Sequence, residues 1–380
     1  MSALLRQEVA LLSDTVVVKV GTRVLTDDAG RLSEVRIAAL TGDLCSVAEK
    51  RRVVLVSSGA VAAGMGRLGL DKRPTDLAHL QAVAAVGQSR LVETYERALR
   101  THGRHAAQIL LTAEDVNDRT RYLNVRNTIL TLLELRALPI INENDTVSVS
   151  ELLTTFGDND HLAAIVCNLI RAPLLVILSD VAGLYDAHPS TPGAKIIASV
   201  TRIDDVASAV QDGPSHLSKG GMASKLRAAR LVTAAGGSTI VASGREPNVL
   251  SRLMAAEELG TLFLAQGKTV TPWKRWIGMT VRPRGKLLID AGARTAVERT
   301  GRSLLAIGVI AVEGDFVKGD AVAICGPDGA EFARGLSNYA ADDVRRIKGL
   351  RSQQIADALG HCPYEEVVHR DNLAVVSDVR

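Results

Sequence analysis

The sequence predicts an α/β fold: a mostly parallel sheet sandwiched by helices, followed by a small β-barrel-like domain. Up to about residue 265, short runs rich in Val, Ile and Leu alternate with longer helix-like segments. Most of these runs end in small or polar residues, and the chain after residue 282 changes to short strand-like runs and turns. An alternating order of strands and helices favours right-handed crossovers and therefore a parallel sheet.

The apolar runs are predicted as strands because parallel strands buried on both faces are nearly continuous in Val, Ile and Leu. They lie at 15–21, 52–58, 106–112, 138–144, 174–180 and 238–243. Helices are predicted between them at 33–50, 76–101, 114–137, 159–171 and 222–235. Ligands of such sheets bind at the carboxyl ends of the strands, so the residues after each run are the candidate site.

Length and composition predict two domains in the cytoplasm. A chain of 380 residues exceeds the roughly 250–300 at which one core stops growing. We expect a first domain at 1–265, a basic, acid-free linker at 266–281 and a second domain at 282–372. The 45 basic and 42 acidic residues nearly cancel, which argues against a general attraction to nucleic acid or membrane. Four cysteines without CxxC spacing, no signal-peptide pattern and no long apolar stretch favour a cytoplasmic protein.

Three glycine or lysine segments are candidate anion sites. Lys19 interrupts the run VVVKVG, where a buried ammonium needs an anion such as phosphate, unless it reaches water at the strand end. In SSGAVAAGMGRLG, a GxGxxG pattern starts too late after the strand for a dinucleotide site, and Met65 replaces the lysine of a phosphate-binding loop. A strand, Ser58-Gly59 and then a helix remain, and such a helix start binds anions, for example a substrate carboxylate.

The segment SKGGMASKL places a glycine pair before a helix, between Lys219 and Lys225. Its backbone can approach a ligand closely and its lysines can reach a transferring phosphoryl group, although a flexible loop with solvated lysines is the alternative. FGDNDHLAAIV clusters Asp158, Asn159 and Asp160 at a predicted helix start. One of them would suffice as a helix cap, so the cluster indicates that a ligand or other side chains are held there.

Taken in order, these stretches resemble the amino acid kinase family, and within it the members that phosphorylate glutamate. The matching stretches are VVKVGTRVLT, VSSGAVAAGMGRLG, AAVGQSRL, LLTAEDVNDRTRYLNVRNTI, PIINENDTVS, FGDNDHLAA, LSDVAGLY and GGMASKLRAA. The tail from GKLLIDAGARTAV onwards resembles a PUA domain, a type that binds RNA in other proteins. This resemblance implies an amino acid kinase-like α/β/α fold with a C-terminal PUA domain.

The resemblance also implies residue roles. It places glutamate at Ser58, Asn142, Asp145 and Asn159, with Asp145 meeting the substrate ammonium. It places ATP at Lys19, Ser179, Asp180, Lys219, Gly220, Gly221, Met222, Ala223, Ser224 and Lys225. Lys19 and Lys225 would be catalytic by neutralising the phosphoryl group, and Asp160 by holding both lysines. Mg²⁺ is expected with ATP, and its ligands are not identified. The family loop usually has Gly and then Thr or Ser before Gly-Gly-Met, where this chain has Ser218 and Lys219.

The activity implied is ATP-dependent phosphorylation of the side-chain carboxylate of L-glutamate to L-glutamyl 5-phosphate, the first step of proline biosynthesis. A carboxylate with a pKa of about 4.3 is already ionised at neutral pH, so no general base is required. The implied partners are proline as feedback inhibitor, a glutamyl phosphate reductase and further copies of the chain.

Two alternatives remain. Another kinase of the family could act on acetylglutamate, aspartate, carbamate or a nucleotide, but INENDTV, FGDND and the tail argue against it. The protein could instead bind RNA through its tail. Basic and acidic residues are equally frequent from 282 to 380, so the positive surface of an RNA-binding domain is not evident.

Overall fold

A computed structural model of the protein describes residues 2–147, 159–188, 190–206, 221–266 and 272–376. The chain divides into two compact units, Met1–Gln266 and Gly267–Arg380. In the described ranges, no helix has both the length and the apolar character that a bilayer span requires.

Unit 1 is built on an eight-stranded sheet. Its strands are β1 (Thr15–Val20), β2 (Arg52–Ser57), β3 (Ala106–Leu111), β4 (Leu138–Glu143), β5 (Leu174–Ser179), β6 (Ser199–Val200), β7 (Ser238–Ser243) and β8 (Thr261–Phe263). They are ordered β3-β4-β2-β1-β5-β7-β8-β6. All neighbours pair in parallel except β7 and β8, which are antiparallel. The chain first adds strands on one side of β1 and then on the other, so the order reverses beside β1, where such sheets bind ligands.

The helices of unit 1 connect these strands. They are α1 (Ser2–Leu12), α2 (Thr22–Leu25), α3 (Glu34–Ala48), α4 (Ala60–Leu68), α5 (Leu77–Arg100), α6 (Ala113–Asn117), α7 (Arg119–Glu134), α8 (Asn159–Ile170), α9 (Gly221–Ala234) and α10 (Val249–Met254). The predicted fold class is confirmed. The predicted strands agree with β1 to β5 and β7 to within one residue. The predicted helix 114–137 is two helices, because Asp118 ends α6 and its side chain caps the start of α7.

The central strands are buried throughout. Every residue of β1, β4 and β5 is buried, and apolar side chains of β1, β2 and β5 pack with those of α3 and α5 in one core. Each fully buried Val, Leu or Ile contributes roughly 1.5–3 kcal/mol to stability. Lys19 is the charged residue of β1, and it lies between two valines. The core therefore fixes the strand that carries this lysine.

Close contact between α4 and α5 explains a glycine of the GxGxxG pattern. A Cβ on Gly64 would lie 1.9 Å from the carbonyl oxygen of Val83, and one on Gly87 would lie 1.8 Å from that of Ala60. Only glycine allows the two helix backbones to approach this closely. Gly64 is therefore a packing residue.

Unit 2 contains a five-stranded sheet ordered β11-β9-β12-β13-β15 and the pair β10-β14. The strands are β9 (Gly285–Ile289), β10 (Leu304–Leu305), β11 (Val309–Gly314), β12 (Ala321–Cys325), β13 (Glu331–Leu336), β14 (Glu366–Val368) and β15 (Leu373–Val375). The helices are α11 (Pro272–Arg275), α12 (Ala291–Thr300), α13 (Ala341–Ile347) and α14 (Ile355–Leu359). The sequence indicated mostly strands and turns here, so α12 and α13 are additional.

Part of the predicted linker 266–281 is folded. A π-helical turn at Trp276–Thr280 is buried in unit 2, and Trp273 donates a hydrogen bond to Asn372 at 2.8 Å. Residues 267–271 lie outside the described ranges. The predicted boundaries at 265 and 282 stay predictions.

Substituting Gly64 with Ala should lower the free energy of unfolding by about 2 kcal/mol or more, because the new methyl group meets backbone rather than a movable side chain. Gly66→Ala is a matched control on the same helix, since its Cβ would meet nothing within 4 Å. Alanine is the better helix former, so this variant should be neutral or up to about 1 kcal/mol more stable. Urea unfolding of both variants measures the difference, and equal effects would contradict the close-packing explanation.

Candidate active site

The ends of four neighbouring strands gather the predicted site residues at one edge of the sheet. Lys19 lies on β1, Ser58 follows β2, Asn142 lies near the end of β4, and Ser179 ends β5. Helices α4, α8 and α9 begin close to this edge or contribute residues from their first turns. Their amino-terminal ends carry partial positive charge, which favours anions.

Two lysines from different parts of the sequence meet on one carboxylate. The ammonium of Lys19 lies 2.8 Å from Oδ1 of Asp160, and that of Lys225 donates to Oδ2 at 3.0 Å. All three side chains are buried, with less than a tenth of their surface exposed. Lys225 also donates to the carbonyl of Gly221 at 3.3 Å. This cluster therefore holds two positive charges and one negative charge away from water.

The charges of the cluster depend on one another. Although burial raises the pKa of Asp160, the ammonium groups of Lys19 and Lys225 keep it below its usual value. Burial lowers the pKa of Lys225, as does Lys19, while the carboxylates of Asp160 and Asp180 oppose this effect. Asp160 also lies in the first turn of α8, where the helix dipole favours an anion. The carboxylate is thus a stable anion, and the cluster has a net positive charge that suits a phosphate.

Buried amide and hydroxyl groups form a second part of the site. Nδ2 of Asn159 donates to Oγ of Ser58 at 2.9 Å and to Oδ1 of Asn142 at 3.1 Å. Asn142 in turn donates from Nδ2 to Oε1 of Gln88 at 2.9 Å, and its Oδ1 accepts from the backbone N–H of Glu143 at 2.9 Å. Three of the four predicted glutamate residues are therefore joined by direct hydrogen bonds.

Asp145, the fourth predicted glutamate residue, is a buried acid after β4. Burial, together with the nearby carboxylate of Glu143, raises its pKa to about 6, while Arg73 acts in the opposite direction. Among the described residues, no side chain or backbone group is hydrogen-bonded to it. Keeping this carboxylate ionised in a buried position costs stability. A cation bound beside Asp145, such as a substrate ammonium, would offset that cost.

Two predicted nucleotide residues lie at the end of β5, where Ser179 is buried and Asp180 is partly exposed. Oγ of Ser179 donates to Oδ1 of Asp180 at 3.0 Å, and Arg23 on α2 pairs with Oδ2 of Asp180 at 2.7 Å. The side chain of Arg23 is 78% exposed. Arg23 and Asp180 therefore form an exposed ion pair at the sheet edge next to the buried cluster.

The predicted glycine loop is described only in part. Gly221, Met222, Ala223, Ser224 and Lys225 form the first turns of α9, in which Ser224 and Lys225 are buried. Lys219 and Gly220, and Asp158 of the acidic cluster, lie outside the described residues. Gly59 precedes α4 with a φ of 106°, which a residue with a side chain rarely adopts.

Sequence reasoning missed Gln88 and Arg23. Gln88 belongs to the buried stripe of α5, together with Val83, Ala84 and Leu91. An amide on an apolar helix face is a signal that could have been recognised, since buried polar groups need partners. Arg23 gives no comparable signal, because exposed arginines are common.

The described residues offer no ready-made metal site. They contain no group of three or more His, Cys, Asp or Glu side chains that could hold a metal ion. Asp160 already bonds two ammonium groups, and Asp180 is paired with Arg23. A resident metal therefore does not fit the described donor set.

The raised pKa of Asp145 predicts that its carboxylate destabilises the protein. Relative to Asp145→Asn, the wild-type protein should lose stability as the pH rises from about 4 to about 6, since the folded state holds the proton that the unfolded chain has released. Above pH 6 the variant should be about 1–3 kcal/mol more stable. Denaturant unfolding at pH 4 and pH 8 measures this, with Asp71→Asn, an exposed acid, as the control. A variant less stable than wild type at pH 8 would refute the prediction.

Comparison with known proteins supports the resemblance. The model of the amino acid kinase family matches residues 14–243, and that of the PUA domain matches residues 285–359. A glutamate 5-kinase from Rhodopirellula baltica is 48% identical over 98% of this chain and 96% of its own length. A glutamate 5-kinase from Syntrophotalea carbinolica is 47% identical over 95% of this chain and 96% of its own length.

A solved UMP kinase from Bacillus anthracis covers 67% of this chain and 97% of its own, with 14% identity and a TM-score of 0.47, too remote a likeness to bear on the site. The predicted family resemblance is confirmed by the family models and the full-length relatives. This chain belongs to the amino acid kinase family and carries a C-terminal PUA domain.

Proposed function

We propose that the chain transfers the γ-phosphoryl group of ATP to the side-chain carboxylate of L-glutamate, giving L-glutamyl 5-phosphate, the first step of proline biosynthesis. The relatives named glutamate 5-kinase, similar over nearly the whole chain, support glutamate as the acceptor. The observation that carries the chemistry is the pair of buried lysines on Asp160.

Phosphoryl transfer passes through a loosely bonded transition state with charge on the phosphoryl oxygens, so positioning and positive charge provide most of the catalysis. Lys19 and Lys225 supply that charge in a buried setting, where it is stronger than in water. Asp160 is a positioning group here, because both of its oxygens hold lysines. The role is one of alignment and not of proton transfer.

The polar network beside the lysines suits glutamate. We assign the substrate ammonium to Asp145, whose buried carboxylate has a raised pKa. Ser58, Asn142 and Asn159 offer polar contacts to the carboxylates, and the start of α4 after Gly59 favours an anion. The attacking carboxylate is ionised at neutral pH, so the site requires no general base.

ATP is the co-substrate, as the kinase family implies. We assign Ser179, Asp180 and the start of α9 to the nucleotide, on the basis of the sequence resemblance and of their place at the sheet edge that carries the lysine cluster. Lys219 is assigned to the nucleotide from the sequence resemblance alone. Mg²⁺ is proposed to accompany ATP and would neutralise part of the phosphate charge. The described residues contain no group of three His, Cys, Asp or Glu side chains to hold it.

Proline as inhibitor, a reductase as the consumer of the acyl phosphate, assembly of several chains and a cytoplasmic location are proposed from the resemblance alone. The reactivity of the acyl phosphate supports a reductase as partner. A mixed anhydride hydrolyses readily in water, so prompt reduction would prevent its loss.

The function is tested with purified full-length protein, Mg²⁺, ATP and a panel of acceptors. ADP release should require L-glutamate and be absent or far slower with acetylglutamate, aspartate, carbamate and UMP. Hydroxylamine traps acyl phosphates as hydroxamates, so glutamyl hydroxamate should accumulate in step with ADP. ADP release without hydroxamate, or a preference for another acceptor, would contradict the proposal.

Lys225→Ala should lower kcat by about 10²–10³-fold while changing the glutamate KM by less than about threefold, because its charge matters most in the transition state. Arg227→Ala on the same helix is the control, since its side chain is exposed, and it should resemble wild type. Initial rates at varied glutamate and saturating ATP separate the two constants. An unchanged kcat with a raised glutamate KM would remove Lys225 from the chemistry.

A further inference from the structure

Gln88 is a buried member of the hydrogen-bond network at the candidate glutamate site, and it was not among the site residues predicted from the sequence. It lies on α5 in the stripe that faces the core, and its Oε1 accepts from Nδ2 of Asn142 at 2.9 Å. Only 8% of its surface is exposed. A buried amide at this position costs stability unless its hydrogen bonds are made, so packing alone does not explain it.

The direction of each hydrogen bond follows from two contacts of Asn142, one with the backbone N–H of Glu143, which can only donate, and one with Gln88. An asparagine amide has one accepting oxygen and one donating nitrogen, and the two could exchange places by rotation. With Nδ2 of Asn142 held by Gln88, its Oδ1 faces two donors, the backbone N–H of Glu143 and Nδ2 of Asn159. Rotating Asn142 would place its NH₂ group against both donors.

The same order of donors and acceptors continues to Asn159 and Ser58, which are proposed to contact the substrate. Nδ2 of Asn159 donates to Asn142 and to Oγ of Ser58, which fixes the face that Asn159 presents. Since Ser58 accepts this hydrogen bond, its hydroxyl hydrogen is available to donate elsewhere. An ionised carboxylate accepts hydrogen bonds only, so this polarity suits it.

Helix α5 is well suited to hold Gln88 in place. Gly87 lets α4 approach α5 closely, and α4 begins directly after Ser58 and Gly59. Seven residues after Gln88, Tyr95 forms a 3.0 Å hydrogen bond with Ser57. The same helix therefore contacts both β2 and β4 through buried polar groups.

We propose that Gln88 is a positioning residue for the acceptor site. Its carbonyl, together with the backbone N–H of Glu143, holds the amide orientation of Asn142 and, through it, those of Asn159 and Ser58. This rests on the proposed glutamate kinase activity and adds a residue that acts through others. Gln88 affects recognition of the carboxylate acceptor and leaves the lysine cluster unchanged.

The test compares wild type with Gln88→Met, which keeps the length of the side chain and removes the acceptor. The glutamate KM should rise by about tenfold, the scale of one lost hydrogen bond to an ordered buried group, while the ATP KM stays within about twofold. Thr94→Val is the matched control. It removes a buried hydroxyl of α5 that, within the described part of the chain, bonds to the carbonyl of Arg90 on its own helix and to no other group, and it should behave as wild type. Gln88→Leu provides a second variant of similar volume if the first does not fold.

A double-mutant cycle tests whether Gln88 acts through Asn142. Gln88→Met should change kcat/KM for glutamate by about tenfold in the wild-type background and by less than about twofold in an Asn142→Ala background. An unchanged glutamate KM in Gln88→Met, an equal rise of both KM values, or an undiminished effect beside Asn142→Ala would overturn the proposal. Wild-type protein without glutamate-dependent turnover would overturn the proposed function, and this inference with it.

Discussion

The candidate site depends on one carboxylate that holds two ammonium groups. Asp160 brings Lys19 of the first strand and Lys225 of a late helix to the same buried point. Without it, two like charges would lie together in a medium of low polarity, and breaking a buried charge pair typically costs about 3–5 kcal/mol. The positive surplus that remains is what an incoming triphosphate can neutralise. The same arrangement therefore stabilises the folded protein and prepares it for an anion.

The fold explains why these groups can meet. Because the strand order reverses beside β1, the polar ends of β1, β2, β4 and β5 are neighbours although their residues are far apart in the sequence. Helix α8 packs against β1 and presents Asn159 and Asp160 in its first turn. Asp160 bonds to the two lysines, and Asn159 bonds to the amide network. The start of α8 thus joins the two parts of the site, which is why a single acidic cap would not serve.

Much of the fold and of the candidate site was predictable from the sequence, for physical reasons that differ between elements. The central strands were predicted well because strands buried on both faces are continuous apolar runs, whereas β6 and β8 have only two and three residues and no such signal. Helix α1 is held in place by Arg6, whose guanidinium donates to the carbonyls of Ala198, Leu259 and Gly260. No local sequence pattern reveals these contacts. Local spacing likewise predicts neither the meeting of Lys19 with Asp160 nor the bond from Asn142 to Gln88. Those contacts follow from the topology of the sheet. The family resemblance implied the contact of Asp160 with the lysines but not the bond from Asn142 to Gln88.

The two parts of the site are held by different forces, and this determines how each responds to change. The lysine cluster is held by charge, which acts over several ångströms and tolerates small rotations. The amide network is held by directional hydrogen bonds between groups that can donate or accept depending on their rotation. A side chain outside the lysine cluster, such as Gln88, can therefore change the amide network without changing the cluster. Asp145 is a third case, because its raised pKa means that the ionised, buried carboxylate costs stability. A cation that binds beside it would offset this cost.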